Sequence, residues 1–232
     1  MSAAPIRGVF IAGTDTGVGK TRVTAGLLRA LHTVQVLAIG MKPIASGTIA
    51  VDGFQINQDV ATIAEVSAPG VALADINPYC FNWPVSPHIA AERAGIVIDL
   101  EHIVHAYDRL AARCDVVVVE GTGGWLAPIG PGMTMADVAR RLQLPVVLVV
   151  GLRLGCLNHA LLTVRAIESA GASLVGWIGS VIDPAMAALR ENLETLDQHL
   201  PAARWALMPY APGSEHDADA LEPAARALRA VV

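Results

Sequence analysis

Apolar runs of strand length alternate with helical patterns along almost the whole chain. The runs fall at 8–12, 34–40, 116–119, 146–150, 174–182 and 204–208. Helical spacing of apolar residues falls at 22–31, 59–66, 86–94, 100–113, 136–142, 158–170, 184–199 and 218–230. Alternation of this kind predicts βαβ units, hence an α/β fold with a mostly parallel central sheet flanked by helices on both faces. The unbroken run Val116-Val117-Val118-Val119 is what a strand buried on both faces looks like. Two stretches, 45–58 and 121–134, read as long loops, which in a compact domain are often functional. No internal repeat or low-complexity linker interrupts the pattern, so residues 1–232 read as one domain.

Ligands of such folds bind beyond the carboxyl ends of strands, so the residues after each strand carry the argument. After the first come Gly13-Thr14-Asp15-Thr16-Gly17-Val18-Gly19-Lys20-Thr21, and then a helical pattern. Strand, glycine-rich turn and helix are the context of a phosphate-binding loop, the P-loop NTPase signature. Backbone N–H groups at a helix N-terminus face an anion, and the helix dipole favours negative charge there. Gly17 and Gly19 let the backbone approach phosphate oxygens, Lys20 would reach the terminal phosphates, and the Thr21 hydroxyl would ligate Mg²⁺. The spacing is slightly irregular: the usual first glycine falls on Thr14, with Gly13 one place earlier.

Further candidates follow the other strands. Lys42, held off helix by Pro43, is either a second cation at the phosphate site or a solvated strand-end lysine. Solvation would leave it little weight in folding. Ser46 is a hydrogen-bond donor or a loop cap. Asp59 is a helix cap or first-turn carboxylate, or a Mg²⁺ ligand, with the cap favoured on the residue alone. Glu120, directly after four valines, has the place of the second acidic motif of phosphate-loop enzymes, and Gly121, Gly123 and Gly124 allow close backbone passage. Asn158 is a reasonable N-cap for a helix to residue 170, and its turn offers a second anion site. Cys156 reads first as a small buried hydrophobe, and His159 and His88 as helical packing.

Composition narrows the class. Hydrophobic residues make up 53% and aromatics only 4%, so the core is aliphatic. Net charge is −5 with no basic cluster, which argues against a nucleic-acid surface. Cys80, Cys114 and Cys156 are odd in number and widely spaced, as reduced thiols rather than a disulfide frame. No signal-peptide pattern opens the chain, and the longest apolar stretch, 142–154, is too short to span a bilayer, so a cytoplasmic protein without a membrane partner is expected.

The motifs GTDTGVGKT (13–21), KPIASG (42–47), NPYCF (77–81), SPHIAA (86–91), VEGTGGW (119–125) and GLRLGCLNHALLT (151–163), then Gly176-Trp177, occur in one order. Together they resemble the dethiobiotin synthetase family, from Val9 to about Pro212. The resemblance implies an ATP- and Mg²⁺-dependent ligase. It would carboxylate one amine of 7,8-diaminopelargonic acid with CO₂, phosphorylate the carbamate and close a ureido ring. It also implies a homodimer. Thr16, Lys20 and Thr21 match the family's nucleotide and metal loop. Lys42 and Ser46 match positions near the carbamate and transferred phosphate, Asp59 and Glu120 the Mg²⁺ carboxylates, and Gly123 a substrate contact. Gly155, Cys156 and Asn158 match a segment that takes the substrate's carboxylate tail across the dimer interface. Pro209, Tyr210 and Ala211 match the lining of the base. Two positions depart. Gly17 stands where some members carry an acid, and Ser180 where some carry an adenine-reading asparagine, whose two-pronged amide contact a serine lacks. Other nucleoside triphosphates therefore stay open as co-substrates beside ATP.

Two other readings share the phosphate loop. A related amidoligase usually adds a glutamine-amidotransferase domain, for which the chain has no room. A partition or septum-positioning ATPase switch carries a lysine where Asp15 stands, and often a basic amphipathic tail, whereas 224–232 holds only Arg226 and Arg229.

Overall fold

The structure, a computed structural model, describes residues 7–51, 54–210 and 217–232. The first part of the chain runs β1 (Gly8–Gly13), α1 (Lys20–Thr33), β2 (Ala38–Met41), β3 (Ile44–Ser46), β4 (Ile49–Val51), β5 (Phe54–Ile56), α2 (Gln58–Val66), α3 (Leu73–Ile76) and β6 (Tyr79–Phe81). There follow α4 (Pro87–Ala94), α5 (Leu100–Ala111), β7 (Val116–Glu120), β8 (Pro128–Gly130), β9 (Met133–Thr134) and α6 (Met135–Arg141). The last part is β10 (Val146–Leu152), α7 (Cys156–Ser169), β11 (Leu174–Val181), α8 (Leu189–His199), β12 (Arg204–Met208) and α9 (Asp217–Arg229).

Six parallel strands form the main sheet in the order β12-β11-β10-β1-β7-β2. Side chains alternate between its faces with the period of two that strands impose. Val9 and Ile11 of β1 face one layer, and Phe10 and Ala12 the other. Val116 and Val118 of β7 likewise oppose Val117 and Val119. The first layer is closed by α1, α2 and α9 through Leu27, Leu28, Ile63 and Leu221. The second is closed by α5, α6, α7 and α8 through Ile103, Leu110, Val138, Ile167 and Leu196. The fold class expected from the alternation is therefore the one observed.

After β1 the chain moves towards β2, and after β10 it moves the other way, to β11. The turns that follow these two adjacent strands thus open side by side at a topological switch point, where ligands of open α/β sheets bind.

Several local expectations shift. The second strand is Ala38–Met41 rather than 34–40, because α1 continues to Thr33 and the chain reverses through Gln35, whose φ is 60°. The stretches 45–58 and 121–134 are not bare loops. They contain β3, paired with β6, and the antiparallel pairs β4–β5 and β8–β9. The helix expected over 184–199 starts only at Leu189, after Ala188 with φ 54°. Asn158 is not a cap: α7 begins at Cys156, behind Gly155 at φ 96°. Asp59 is not the cap of α2 either, since Asn57 holds that place and its side chain accepts from the Val60 N–H at 3.1 Å. Among the described residues no helix is long and apolar enough to cross a membrane.

Helix α2 lies hard against β2. A Cβ on Gly40 would overlap Ile63 Cγ2 and stand 2.8 Å from Leu28 Cδ1. Gly40→Val is expected to destabilise the protein by about 1–3 kcal/mol through overpacking, read as a lower urea midpoint with an unchanged slope. An unchanged midpoint would show that α2 can retreat from the sheet freely.

Candidate active site

The phosphate loop is folded by its own backbone needs. Gly17 and Gly19 sit at φ 73° and 90°, where a side chain is disfavoured. A Cβ on Gly13 would stand 2.9 Å from Lys20 Cδ, so glycine lets the lysine fold back over the loop. Lys20 Nζ donates to the Asp15 carbonyl at 2.9 Å. Thr14 is pinned to β10: its N–H donates to Val149 O at 3.0 Å, and its hydroxyl accepts from Gly151 N at 3.3 Å. Asp15 accepts from the Thr16 N–H at 2.7 Å and pairs with Arg153 at 3.0 Å. Val18 is buried in the α1 layer. Gly13, Thr14, Asp15 and Val18 thus shape the loop from beneath, while Thr16, Gly17, Gly19, Lys20 and Thr21 face the cavity.

Beside the loop stands a charge cluster. Met41 registers with Val119 and Ile11 with Glu120, so Lys42 and Glu120 leave adjacent strand ends together. Lys42 is only 4% exposed and Glu120 is fully buried. The solvated strand-end lysine is thus ruled out: Lys42 is ion-paired with Glu120 and with Asp59, the latter at 2.9 Å. Thr21 Oγ1 donates to Glu120 Oε1 at 2.8 Å. The Lys42 backbone is clamped too, by its N–H on Ile76 O at 2.8 Å and by Asn77 Nδ2 on its carbonyl at 2.6 Å.

The electrostatics follow from burial and charge. Burial alone would lower the Lys42 pKa, but the Glu120 and Asp59 carboxylates outweigh it and raise the pKa above the ordinary lysine value. Burial would raise the Asp59 pKa, yet the Lys42 ammonium against it brings it below the usual range. Lys20 goes down to about 8, by burial first and by the positive charge of Lys42 second. Among the described residues Glu120 Oε2 has no hydrogen-bond partner.

These groups line a cavity of about 1060 Å³. One wall is the phosphate loop with Arg22, and the floor is Lys42, Ser46, Asp59 and Glu120. The far wall is largely apolar: Pro84, Val85, Pro87 and Ile89, then Thr122 to Gly124, Ala127 and Pro128. Gly123, at φ 68°, belongs to that wall.

Other anticipated residues lie elsewhere. Ser180 is buried behind the loop, its Oγ 2.7 Å from where a Gly19 Cβ would stand. Pro209 and Tyr210 are exposed beyond β12, and Ala211 lies outside the described residues. Gly155 and Asn158 are exposed at the start of α7, and Cys156 is packed into the core; none of the three lines the cavity. Sequence reasoning passed over Arg22, although it directly follows the loop, because its partner Asp217 is 195 residues away. It also passed over Asn57 and Asn77, whose amides brace backbone around the site: Asn57 Nδ2 donates to Gly47 O at 2.7 Å. Asparagine before a helical run was the visible signal for the first.

Similarity to known proteins shows the family. The AAA domain family AAA_26 matches residues 7–218. The chain is 46% identical to the ATP-dependent dethiobiotin synthetase BioD of Aromatoleum aromaticum, over 90% of this chain and 93% of that protein. It is also 46% identical to the enzyme of the same name from Xylella fastidiosa strain 9a5c, over 88% of this chain and 90% of that one. Among solved structures it is similar in fold to the MinD cell division protein of Aquifex aeolicus, with TM-score 0.57 and 16% identity over 97% of each chain. A ParA family ATPase of Chlorobium tepidum TLS is similar too, with TM-score 0.57 and 12% identity over 95% of this chain and 98% of that one. These two likenesses concern the fold alone. With relatives 46% identical over about nine tenths of its length, the chain belongs to the ATP-dependent dethiobiotin synthetase family.

Proposed function

We propose that the protein is an ATP-dependent dethiobiotin synthetase, a ligase that forms carbon–nitrogen bonds. One amine of 7,8-diaminopelargonic acid attacks CO₂ to give a carbamate. The carbamate oxygen attacks the γ-phosphate of ATP and ADP leaves. The neighbouring amine then attacks the carbamoyl carbon, phosphate leaves, and the ureido ring closes. The observation that carries this reading is the cluster of buried Lys42 and Glu120 with half-buried Asp59 and Thr21 beside the phosphate loop.

The chemistry asks an anion to attack an anion. Lys20 and Lys42 offset that repulsion, while Thr16 and the loop N–H groups hold the phosphates in line. Ser46 and Gly123 line the cavity, and in this reading Ser46 donates to the carbamate and Gly123 lets the backbone pass close to the substrate. The apolar far wall suits a hydrocarbon chain. Thr21, Asp59 and Glu120 are hard oxygen donors, and the unpartnered Glu120 Oε2 fits a cation. They would hold Mg²⁺, which would supply neutralisation of phosphate charge. In that arrangement Lys42 would share the Asp59 and Glu120 carboxylates with the cation.

The Gly155–Asn158 turn lies off this chain's own cavity, and Leu154 beside it is 93% exposed. In a homodimer that turn would reach the substrate's carboxylate tail in the other subunit, with the N-terminus of α7 facing the anion. The cysteines are free thiols, in keeping with the cytoplasmic location we propose.

The first test is phosphate release with Mg²⁺ and bicarbonate, with and without the diamine. Release is expected to require it; release indifferent to it would leave only a phosphate-loop NTPase. An amide fork on a base is worth about 1–3 kcal/mol. With Ser180 in its place, CTP and GTP are expected to work at kcat/KM within about tenfold of ATP. Lys42→Met is expected to lower kcat by about 10²–10³-fold. By leaving Glu120 unpaired it should also lower stability by about 3–5 kcal/mol, and normal turnover would sink its role. Leu154→Glu is expected to give monomers on sizing and a diamine KM raised about tenfold or more, with ATP KM unchanged; monomers with unchanged diamine KM would place the whole site within one chain.

A further inference from the structure

The chain leaves β12 at Pro209 and enters α9 at Asp217, and one side chain holds both ends of that connection. Arg22, directly after the loop threonine, donates through Nε to Asp217 Oδ2 at 2.7 Å and through Nη2 to Asp217 Oδ1 at 2.6 Å. Its Nη1 donates to the Pro209 carbonyl at 2.7 Å. Each guanidinium nitrogen is thus engaged by the protein, and Asp217 neutralises the charge. Arg22 lines the cavity, but not as a free cation waiting for phosphate.

The surroundings make this contact stiff. Asp217 is 5% exposed, and Gly26, one turn further along α1, leaves room for it: a Cβ there would stand 3.2 Å from Asp217 Cβ. Asp217 also opens α9, where a carboxylate is favoured by the helix dipole. Behind Arg22 the contacts close into a ring. Gly19 abuts Ser180 Oγ, Ser180 registers with Met208, and the next residue is Pro209. A bidentate fork has a fixed geometry, which makes it suited to setting the distance between two elements.

We propose that Arg22 is a positioning residue for the nucleotide. It fixes the strand exit at Pro209 and Tyr210 against the phosphate loop, and so sets how tightly the nucleoside end binds, without touching the transferred phosphoryl. The inference rests on the reading above that Pro209 and Tyr210 flank the base.

Arg22→Lys, Arg22→Met and Asp217→Asn in the full chain test it. The readouts are kcat, the KM for ATP and for the diamine, and the inhibition constant of inorganic tripolyphosphate, which has phosphates and no nucleoside. ATP KM is expected to rise about tenfold, with kcat within about twofold and diamine KM and tripolyphosphate inhibition unchanged. Unchanged ATP KM overturns the proposal. So does a parallel loss of tripolyphosphate binding, which would mean that Arg22 shapes the phosphate loop instead. A purely structural ion pair would lower the melting temperature and leave ATP KM alone at temperatures well below it. Arg22→Lys keeps the charge and Asp217→Asn the shape, so the test survives if Arg22→Met does not fold. If the unaltered protein releases phosphate without the diamine, the synthetase reading fails, and calorimetric binding of ATP against tripolyphosphate still decides the role of Arg22.

Discussion

The ion pair between Lys42 and Glu120 is the constraint around which the site is arranged. Both groups are almost wholly removed from water, and the desolvation of two charges roughly cancels their attraction. An apolar pair of the same volume would hold the fold as well. Keeping charges there makes sense only if something else is to use them. The arrangement says what: Thr21 from the phosphate loop reaches the same carboxylate, and Asp59 from α2 reaches the same ammonium. Four segments distant in sequence, at the ends of β2 and β7 and the starts of α1 and α2, therefore converge on one site beside the phosphate loop.

The sheet is what allows so costly a cluster. Valines from β7 and aliphatic residues from β1 and β10 fill both faces without polar atoms. The strand ends are thereby fixed in register, and the side chains leaving them are fixed with them. Asn77 and Asn57 then brace the irregular backbone beside β2 and β3, so that Lys42 is held from its backbone as well as from its partners.

Legibility in the sequence tracked the range of the interactions. The alternation of apolar runs gave the parallel sheet and its two covered faces, because strand and helix periodicities are local. The loop from Gly13 to Thr21 was legible for the same reason. The strand ends with Lys42 and Glu120 were legible as positions, but not their pairing, since register between β2, β1 and β7 is set by packing and not by any motif. Hence Lys42 alone read as easily as a solvated residue, and Asp59 as a cap. The short pairs β4–β5 and β8–β9 were missed because strands of two or three residues leave no periodicity to count. The start of α8 was missed because proline at 184 mimics a helix opening that the chain delays to Leu189.

The two ends of the nucleotide are recognised by different physics, and this explains the unevenness. Phosphates can be held by backbone N–H groups and a lysine within a few consecutive residues, a task that a short peptide geometry can perform. A base has no charge to attract and must be met by surfaces brought from far apart, and the proposed base site draws on the ends of β11 and β12. Ser180, buried behind the loop, offers no amide fork. A forked arginine at the start of α1 ties the exit of β12 and the entry to α9 to the phosphate loop with a geometry that neither a lysine nor an apolar contact reproduces.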